Sequence, residues 1–292
     1  MQLPDALTLL QAVVSGLLIG ALFALAALGL SLVVGVVRIV NLMHGELVLL
    51  GAYAAFGLVQ ATDLNPLLVA PLAALCVALL GWPIERYVLQ PVVRHGEEAP
   101  LLTTFALSVI IQNLLVCLLG ADTRSIDSGL GAARLELGGV SVPLIYLVGF
   151  AVALAVCAAV HGLIAHSAFG RRIRASAENP LDAAVVGVPV RRLYALTFML
   201  AAGVSGLGGA LLAMVFAFTP SSGVEYLLTG FTVVVLGGLG SVVGTLIGGL
   251  ALGLVESLAA AFFGDGYRLF AGLVAFLVFL ALRPQGLFGR RT

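Results

Sequence analysis

The sequence predicts an all-α, polytopic membrane protein, and three observations carry that prediction. Hydrophobic residues make up 61% of the 292 and charged residues 10%, with a mean hydropathy of +1.18. A soluble domain has about 45–50% apolar and about 25% charged residues. The apolar residues gather into runs of about 20, the length at which a helix crosses a ~30 Å hydrocarbon core. The breaks between runs are mostly short, and no linker or charge run marks a second domain, so residues 1–292 read as one transmembrane domain.

Eight apolar segments fall at about 9–36, 43–60, 66–89, 100–119, 141–162, 194–218, 227–263 and 267–283. The first follows Met1-Gln2-Leu3-Pro4-Asp5, which lacks a positive charge, so it reads as a retained helix rather than a cleaved leader. Thr62-Asp63-Leu64-Asn65-Pro66 and Arg94-His95-Gly96-Glu97-Glu98 are short polar breaks, and 120–140 is a longer loop. Arginine placement sets the orientation. The loop at 166–193 and the tail around Arg283, Arg290 and Arg291 are the densest clusters and are expected in the cytoplasm, with Arg38, Arg86 and Arg94 on the same side. The loop 120–140 and the N-terminus then fall outside.

The seventh segment conflicts with a simple count. If 194–218 leads out and 267–283 leads back in, 227–263 has to begin and end outside. Its 37 residues make a helix about 55 Å long, too long for one span, whereas two full spans need about 40 residues. Gly237-Gly238-Leu239-Gly240-Ser241 interrupts it. The expectation is a discontinuous or re-entrant pair of helices with that glycine break at the turn, its backbone facing protein or a water-filled cavity.

Composition excludes several classes. Formal net charge is zero, so no basic surface argues for nucleic acid. All fourteen basic residues are arginine. Without lysine there is no Walker A phosphate loop and no Schiff-base chemistry, so no nucleotide site or cofactor is expected on this chain. Cys76, Cys117 and Cys157 lie in apolar runs and read as small packing residues. His44, His95, His161 and His166 have no metal-ligand spacing, so neither a metal site nor an intramembrane enzyme is expected.

The polar stretch 166–193 is the most structured of the loops. Asn179 is a good N-cap, Pro180 suits the first helical position, and Asp182 stands where a capping-box acid would. Leu181 to Val186 then makes about two turns, which Gly187 can stop and Pro189 keeps from resuming. Arg171, Arg172, Arg174, Arg191 and Arg192 flank this short helix. Two readings follow: an amphipathic helix resting on lipid headgroups, or a coupling helix that docks on a separate cytosolic motor.

Four segments carry a family resemblance. Gly170-Arg171-Arg172-Ile173-Arg174-Ala175-Ser176-Ala177-Glu178-Asn179, with Ala183-Ala184 and Gly187 following, resembles the cytoplasmic loop of ABC-importer permeases for branched-chain amino acids. Asn41-Leu42-Met43-His44-Gly45-Glu46, continued by Gly51-Ala52-Tyr53, resembles that family's N-x-x-H-G-E/D-x-x-x-x-G-A-Y pattern. Val233 to Ser241 with Gly244, and the ending Arg283-Pro284-Gln285-Gly286-Leu287-Phe288-Gly289, resemble its late segments. The broader importer pattern has Glu-Ala-Ala ahead of its loop glycine. Here Glu178 and Ala183-Ala184 are separated, so the likeness is to the branched-chain subgroup, in its shorter LivH-type form.

The resemblance implies a bacterial inner-membrane, multi-pass subunit that is not itself an enzyme. It implies a second, LivM-type permease, two cytoplasmic ATPase subunits that hydrolyse the ATP, and an extracytoplasmic solute-binding protein. Branched-chain or similar apolar amino acids are the implied cargo, with urea or short amides as the alternative. Gly170, Arg171, Arg174, Glu178, Asn179, Leu181, Asp182 and Gly187 are the coupling candidates. An ion-coupled secondary transporter remains a rival, since it also uses broken helices.

Asn41, His44 and Glu46 are candidate pathway residues at one end, and Gly237, Gly238, Gly240 and Ser241 at the other. His44 and Glu46 are two residues apart, about 200° around a helix, so they are not expected to share a face. A buried charge in a span has to be paired or to face the bundle. The three therefore read as a polar knot between helices, a pathway element or a proton relay, with Asn41 placed to cap the second helix. Gly16/Gly20, Gly244/Gly248 and Gly249/Gly253 are small-xxx-small stripes that predict close helix contacts.

Overall fold

The computed structural model describes residues 5–283 and 286, apart from 97 and 138. The tail match at 284–285 and 287–289, and the arginines at 290 and 291, lie outside the described residues. Eight of the described helical segments are long and apolar enough to cross a membrane.

Helix α1 (Ala6–Val36) is the axis of the molecule. Asp5 caps it, Oδ1 accepting from the Thr8 amide at 2.9 Å. Its 31 residues make about 46 Å of helix, and most of it is buried by protein rather than lipid. α2 (His44–Thr62) and α3 (Pro66–Pro83) meet at Asp63, which takes a left-handed φ of 52°. α3 starts on an Asn65 cap, passes through a π-helical stretch at Ile84–Leu89 after Pro83, and ends as α4 (Gln90–Val93). α5 (Glu98–Leu119) follows. The run read as loop 120–140 instead leads into an antiparallel hairpin of β1 (Arg134–Leu137) and β2 (Val140–Pro143). Gln11 of α1 pins this hairpin, its side-chain amide donating to the Ser141 carbonyl and accepting from the Ser141 amide, at 2.6 and 2.9 Å.

The fifth run therefore opens as strand, and its helix is α6 (Leu144–His166). α7 (Ala168–Glu178) and α8 (Pro180–Val185) fill the polar loop, and α9 (Val190–Leu212) returns into the bundle. The apolar run ending at 218 is not helical throughout. After Leu212 the chain turns, and Phe218 exchanges two 2.8 Å backbone hydrogen bonds with Arg124. Phe218 is fully buried, edge-on to the Tyr53 ring at 5.1 Å, while the Arg124 guanidinium lies 4.9 Å from the Phe56 ring centre.

The discontinuous segment is present as two helices, α10 (Gly223–Gly237) and α11 (Val242–Phe263). Only α11 has full spanning length. The break falls at Gly238–Ser241, where Gly238 and Gly240 have φ of 100° and 78°. A 3₁₀ turn at Asp265–Tyr267 leads to α12 (Arg268–Leu282).

Glycine contacts order these helices. Gly16 lies against Gly253, Gly20 against Gly249, and Gly35 against Gly240, so α1 and α11 run antiparallel with backbones nearly touching. Gly237 meets Gly244, and Val233 meets Gly248, so α10 and α11 form an antiparallel hairpin. Its turn sits at the C-terminal end of α1. α9 closes the bundle through Gly208 on Ala26 of α1 and Gly209 on Val48 of α2. The main apolar core joins α1, α2, α3, α6 and α9. The buried apolar residues of α10, Val233, Val234 and Leu236, belong to a separate small cluster with Ala27, Leu30 and Leu252.

Candidate functional site

Two regions collect the residues singled out in the sequence. The first is α7–α8. α7 is a helix where only an arginine-rich flank was expected: Ser167 caps it by accepting from the Gly170 amide at 3.0 Å. Gly170 is buried, and a side chain there would overlap the Ile164 carbonyl, to which the Arg174 guanidinium also donates. Gly170 and Arg174 thus hold the turn out of α6. Ile173 and Ser176 face inward, while Arg171, Arg172, Arg174 and Glu178 are exposed.

α8 is bounded as its sequence requires. Asn179 Oδ1 accepts from the amides of Leu181 and Asp182 at 3.0 and 3.3 Å, and its Nδ2 donates to Asp182 Oδ2 at 2.7 Å. The acid thus engages the cap's side chain rather than its backbone. At the other end Gly187 takes φ 84°, its amide donating to Ala184 and the Val188 amide to Ala183, which closes a Schellman turn. Ala183 is buried. Leu181, Val185 and Val186 project outward at 77%, 86% and 78% exposure. Six residues therefore form a rigid knob with an apolar crown, flanked by arginines.

The second region lies where the first turn of α2 meets α10. Asn41, His44 and Glu46 are all at most 1% exposed. Asn41 does not cap α2: the cap position is Met43, and Asn41 Oδ1 accepts from the Met43 amide at 3.1 Å, shaping the turn just before the helix. Although 200° apart, His44 and Glu46 both face α10, His44 at Gly230 and Glu46 at Gly223, because that helix runs across the turn bearing them. Glu46 Oε1 accepts from the Ser108 hydroxyl of α5 at 3.2 Å, and the Leu42 amide donates to Thr104 of the same helix at 3.1 Å. Asn41 Nδ2, His44 Nε2 and Glu46 Oε2 have no hydrogen-bond partner among the described residues.

Gly237, Gly238, Gly240 and Ser241 stand apart from this cluster, at the α10–α11 turn. Ser241 Oγ accepts from the Gly244 amide at 3.0 Å and so caps α11. Glu256, on α11, faces Gly272 of α12 and a cleft lined by Thr229 and Thr232. Ser108 and Thr104 were missed in the sequence. Their one signal was a hydroxyl in an otherwise apolar run.

The helices and these two regions define a multi-pass membrane protein with a close-packed interior and an exposed helical loop. A family model described as "Branched-chain amino acid transport system / permease component" matches residues 12–282, and the chain belongs to that family as a permease subunit. It is 29% identical to the high-affinity branched-chain amino acid transport system permease protein BraD of Pseudomonas aeruginosa, over 99% of this chain and 98% of that one. It is 30% identical to the permease LivH of Escherichia coli, over 96% of each. The ribose import permease RbsC of Bacillus subtilis is 31% identical over 56% of this chain and 53% of its own. No solved structure matches.

Proposed function

We propose that this chain is one of two permease subunits in an ABC importer of a bacterial inner membrane, carrying branched-chain or similar apolar amino acids. A LivM-type second permease, two cytoplasmic ATPases and an extracytoplasmic binding protein complete the assembly, and ATP is bound and hydrolysed by the ATPases. The observation that carries this reading is α8. Leu181, Val185 and Val186 are left uncovered by protein on a helix capped at both ends, a use of apolar surface that fits docking into a groove on another protein. Arg171, Glu178, Asn179 and Asp182 surround the knob, and Gly170, Arg174 and Gly187 fix its direction. When the ATPases close on ATP, their groove moves α8, and the lever reaches α9 through Pro189. Differential docking of α8 in the two ATPase states links transport to ATP.

The test is uptake by proteoliposomes. Vesicles holding this chain, a second permease and the ATPases accumulate leucine when binding protein and ATP are supplied, and Asp182→Arg abolishes accumulation. Concentrative uptake by vesicles containing this chain alone would mean an ion-coupled carrier. Uptake of urea or acetamide in place of leucine would move the cargo to short amides.

A further inference from the structure

α10 starts level with the middle of α5, a helix long and apolar enough to span a membrane. Its first residue, Gly223, lies against Glu46, and Glu46 is hydrogen-bonded to Ser108, half-way along the 22-residue α5. The opposite side of α10 is uncovered. Val224, Glu225 and Leu228 are exposed on one flank of its first two turns, and Ser221, exposed in the turn just ahead of the helix, adjoins them, its carbonyl accepting from the Val224 amide at 3.4 Å. Hydrocarbon is an implausible neighbour for that patch, because a charged side chain near the bilayer centre faces a partner charge or a water-filled space. Asp265–Arg268 is the one ion pair among the described residues, so Glu225 has no cationic partner among them. Behind it, the buried carboxylate of Glu46 already faces the positive end of α10. With Glu46 already set against that end, Glu225 is a second carboxylate with no counter-charge among the described residues, and a cation is favoured beside it.

Resting on the amino-acid reading above, we infer that the Ser221–Val224–Glu225–Leu228 patch at the start of α10 is a wall of the translocation pathway, where Glu225 receives the ammonium group of an α-amino acid and Val224 and Leu228 receive its aliphatic side chain. The Ser221 hydroxyl, 2.9 Å from Thr219 Oγ1, adds a polar contact about one turn from Glu225. The patch offers one negative group, hydroxyls and two aliphatic side chains within about two turns, which matches a leucine-like zwitterion and not a sugar.

The experiment uses the complete transporter in proteoliposomes, with Cys76, Cys117 and Cys157 replaced by alanine. Ser221→Cys and Leu228→Cys are each treated with a cationic and an anionic methanethiosulfonate of matched size. Both positions react, and at Ser221→Cys the cationic reagent is about tenfold faster, a preference that disappears when Glu225→Gln is added. Leucine, presented with binding protein and ATP, slows the reaction. Glu225→Gln lowers leucine uptake about tenfold or more, Glu225→Asp retains most of it, and both variants co-purify with the second permease. No reaction in any nucleotide state, or equal rates for the two reagents with Glu225 intact, overturns the inference. So does loss of the second permease in Glu225→Gln, which would assign the carboxylate to a subunit contact. Wild-type uptake of a neutral solute instead of leucine would overturn the proposed cargo and this occupant together. Normal leucine uptake by Glu225→Gln would overturn the inference alone.

Discussion

The two short helices α8 and α10 invert the usual partition of residues in opposite directions. α8 leaves Leu181, Val185 and Val186 uncovered by protein, whereas the flank of α10 holds His44 and Glu46 in the apolar interior. Apolar side chains do appear on protein surfaces, so the informative departures are a clustered apolar crown and a buried unpaired polar group. The first points to a surface completed by another protein. The second marks a polar junction where α2, α5 and α10 meet. The caps of α8 lie within ten residues of sequence, and it leans on the rest of the fold chiefly through the buried Ala183. α10 depends on contacts with α1, α2, α11 and α12.

The sharpest way to break the comparison is to remove the crown of α8. Leu181→Asp with Val185→Asp is expected to lower ATP-driven uptake about thirtyfold or more, since a docking anchor is worth about 2 kcal/mol or more. Thermal unfolding of the purified chain should stay within about 0.5 kcal/mol of wild type, because the exposed side chains touch little. Normal uptake would show that α8 docks on nothing that matters.

For α10 the expectation is reversed, with stability affected first. Gly230→Leu forces a side chain into the His44 ring and is expected to cost about 1–3 kcal/mol, read as earlier thermal unfolding in detergent. Gly57→Ala supplies the control, since no described residue would lie within 4 Å of the added methyl and a helical Gly→Ala change is neutral or stabilising. Equal melting of Gly230→Leu and wild type would mean that α10 is not seated on α2.

A smaller effect belongs to the link beneath α10. Ser108→Ala removes the hydroxyl bonded to Glu46 and is expected to cost about 1.5 kcal/mol. Smallest is the cap of α8: Asn179→Ala should cost about 1 kcal/mol of local helix stability, faster amide exchange at Leu181 and Asp182 reporting it, and Asn179→Ser should restore most of it. Protection lost across the whole bundle, rather than locally, would contradict the independence of α8.

The difference between the two helices also explains what was legible in the sequence. The α8 signals, Asn179, Pro180 and Gly187, are local and appear where they were expected, while Asp182 bonds the Asn179 side chain in place of its backbone. α7 was passed over because Arg171, Arg172 and Arg174 read as a solvated flank, although Ser167 stood ready to cap it. The hairpin at 134–143 was missed because four-residue strands give little periodic signal, and the helix ending at Leu212 was overrun because apolarity continues through Phe218. The long reach of 227–263 did betray the α10–α11 break, since neither one span nor two could fit it. Nothing in the sequence announced that Ser108 would meet Glu46, or that Glu46 and His44 would both face α10.

Hydropathy and local capping thus settled by themselves that this chain is a helical membrane protein, where most of its helices lie, and how α8 begins and ends. Those properties depend on burial in hydrocarbon and on hydrogen bonds between near neighbours, both written in consecutive residues. Only the tertiary structure decided which glycines bring backbones together, where the apolar run after Leu212 leaves the helix, and which polar groups meet at mid-bundle. Such contacts join residues up to about 240 positions apart, Gly16 and Gly253 among them. Their energy depends on close-packed shape, which falls off within an ångström and leaves no periodic trace along the chain.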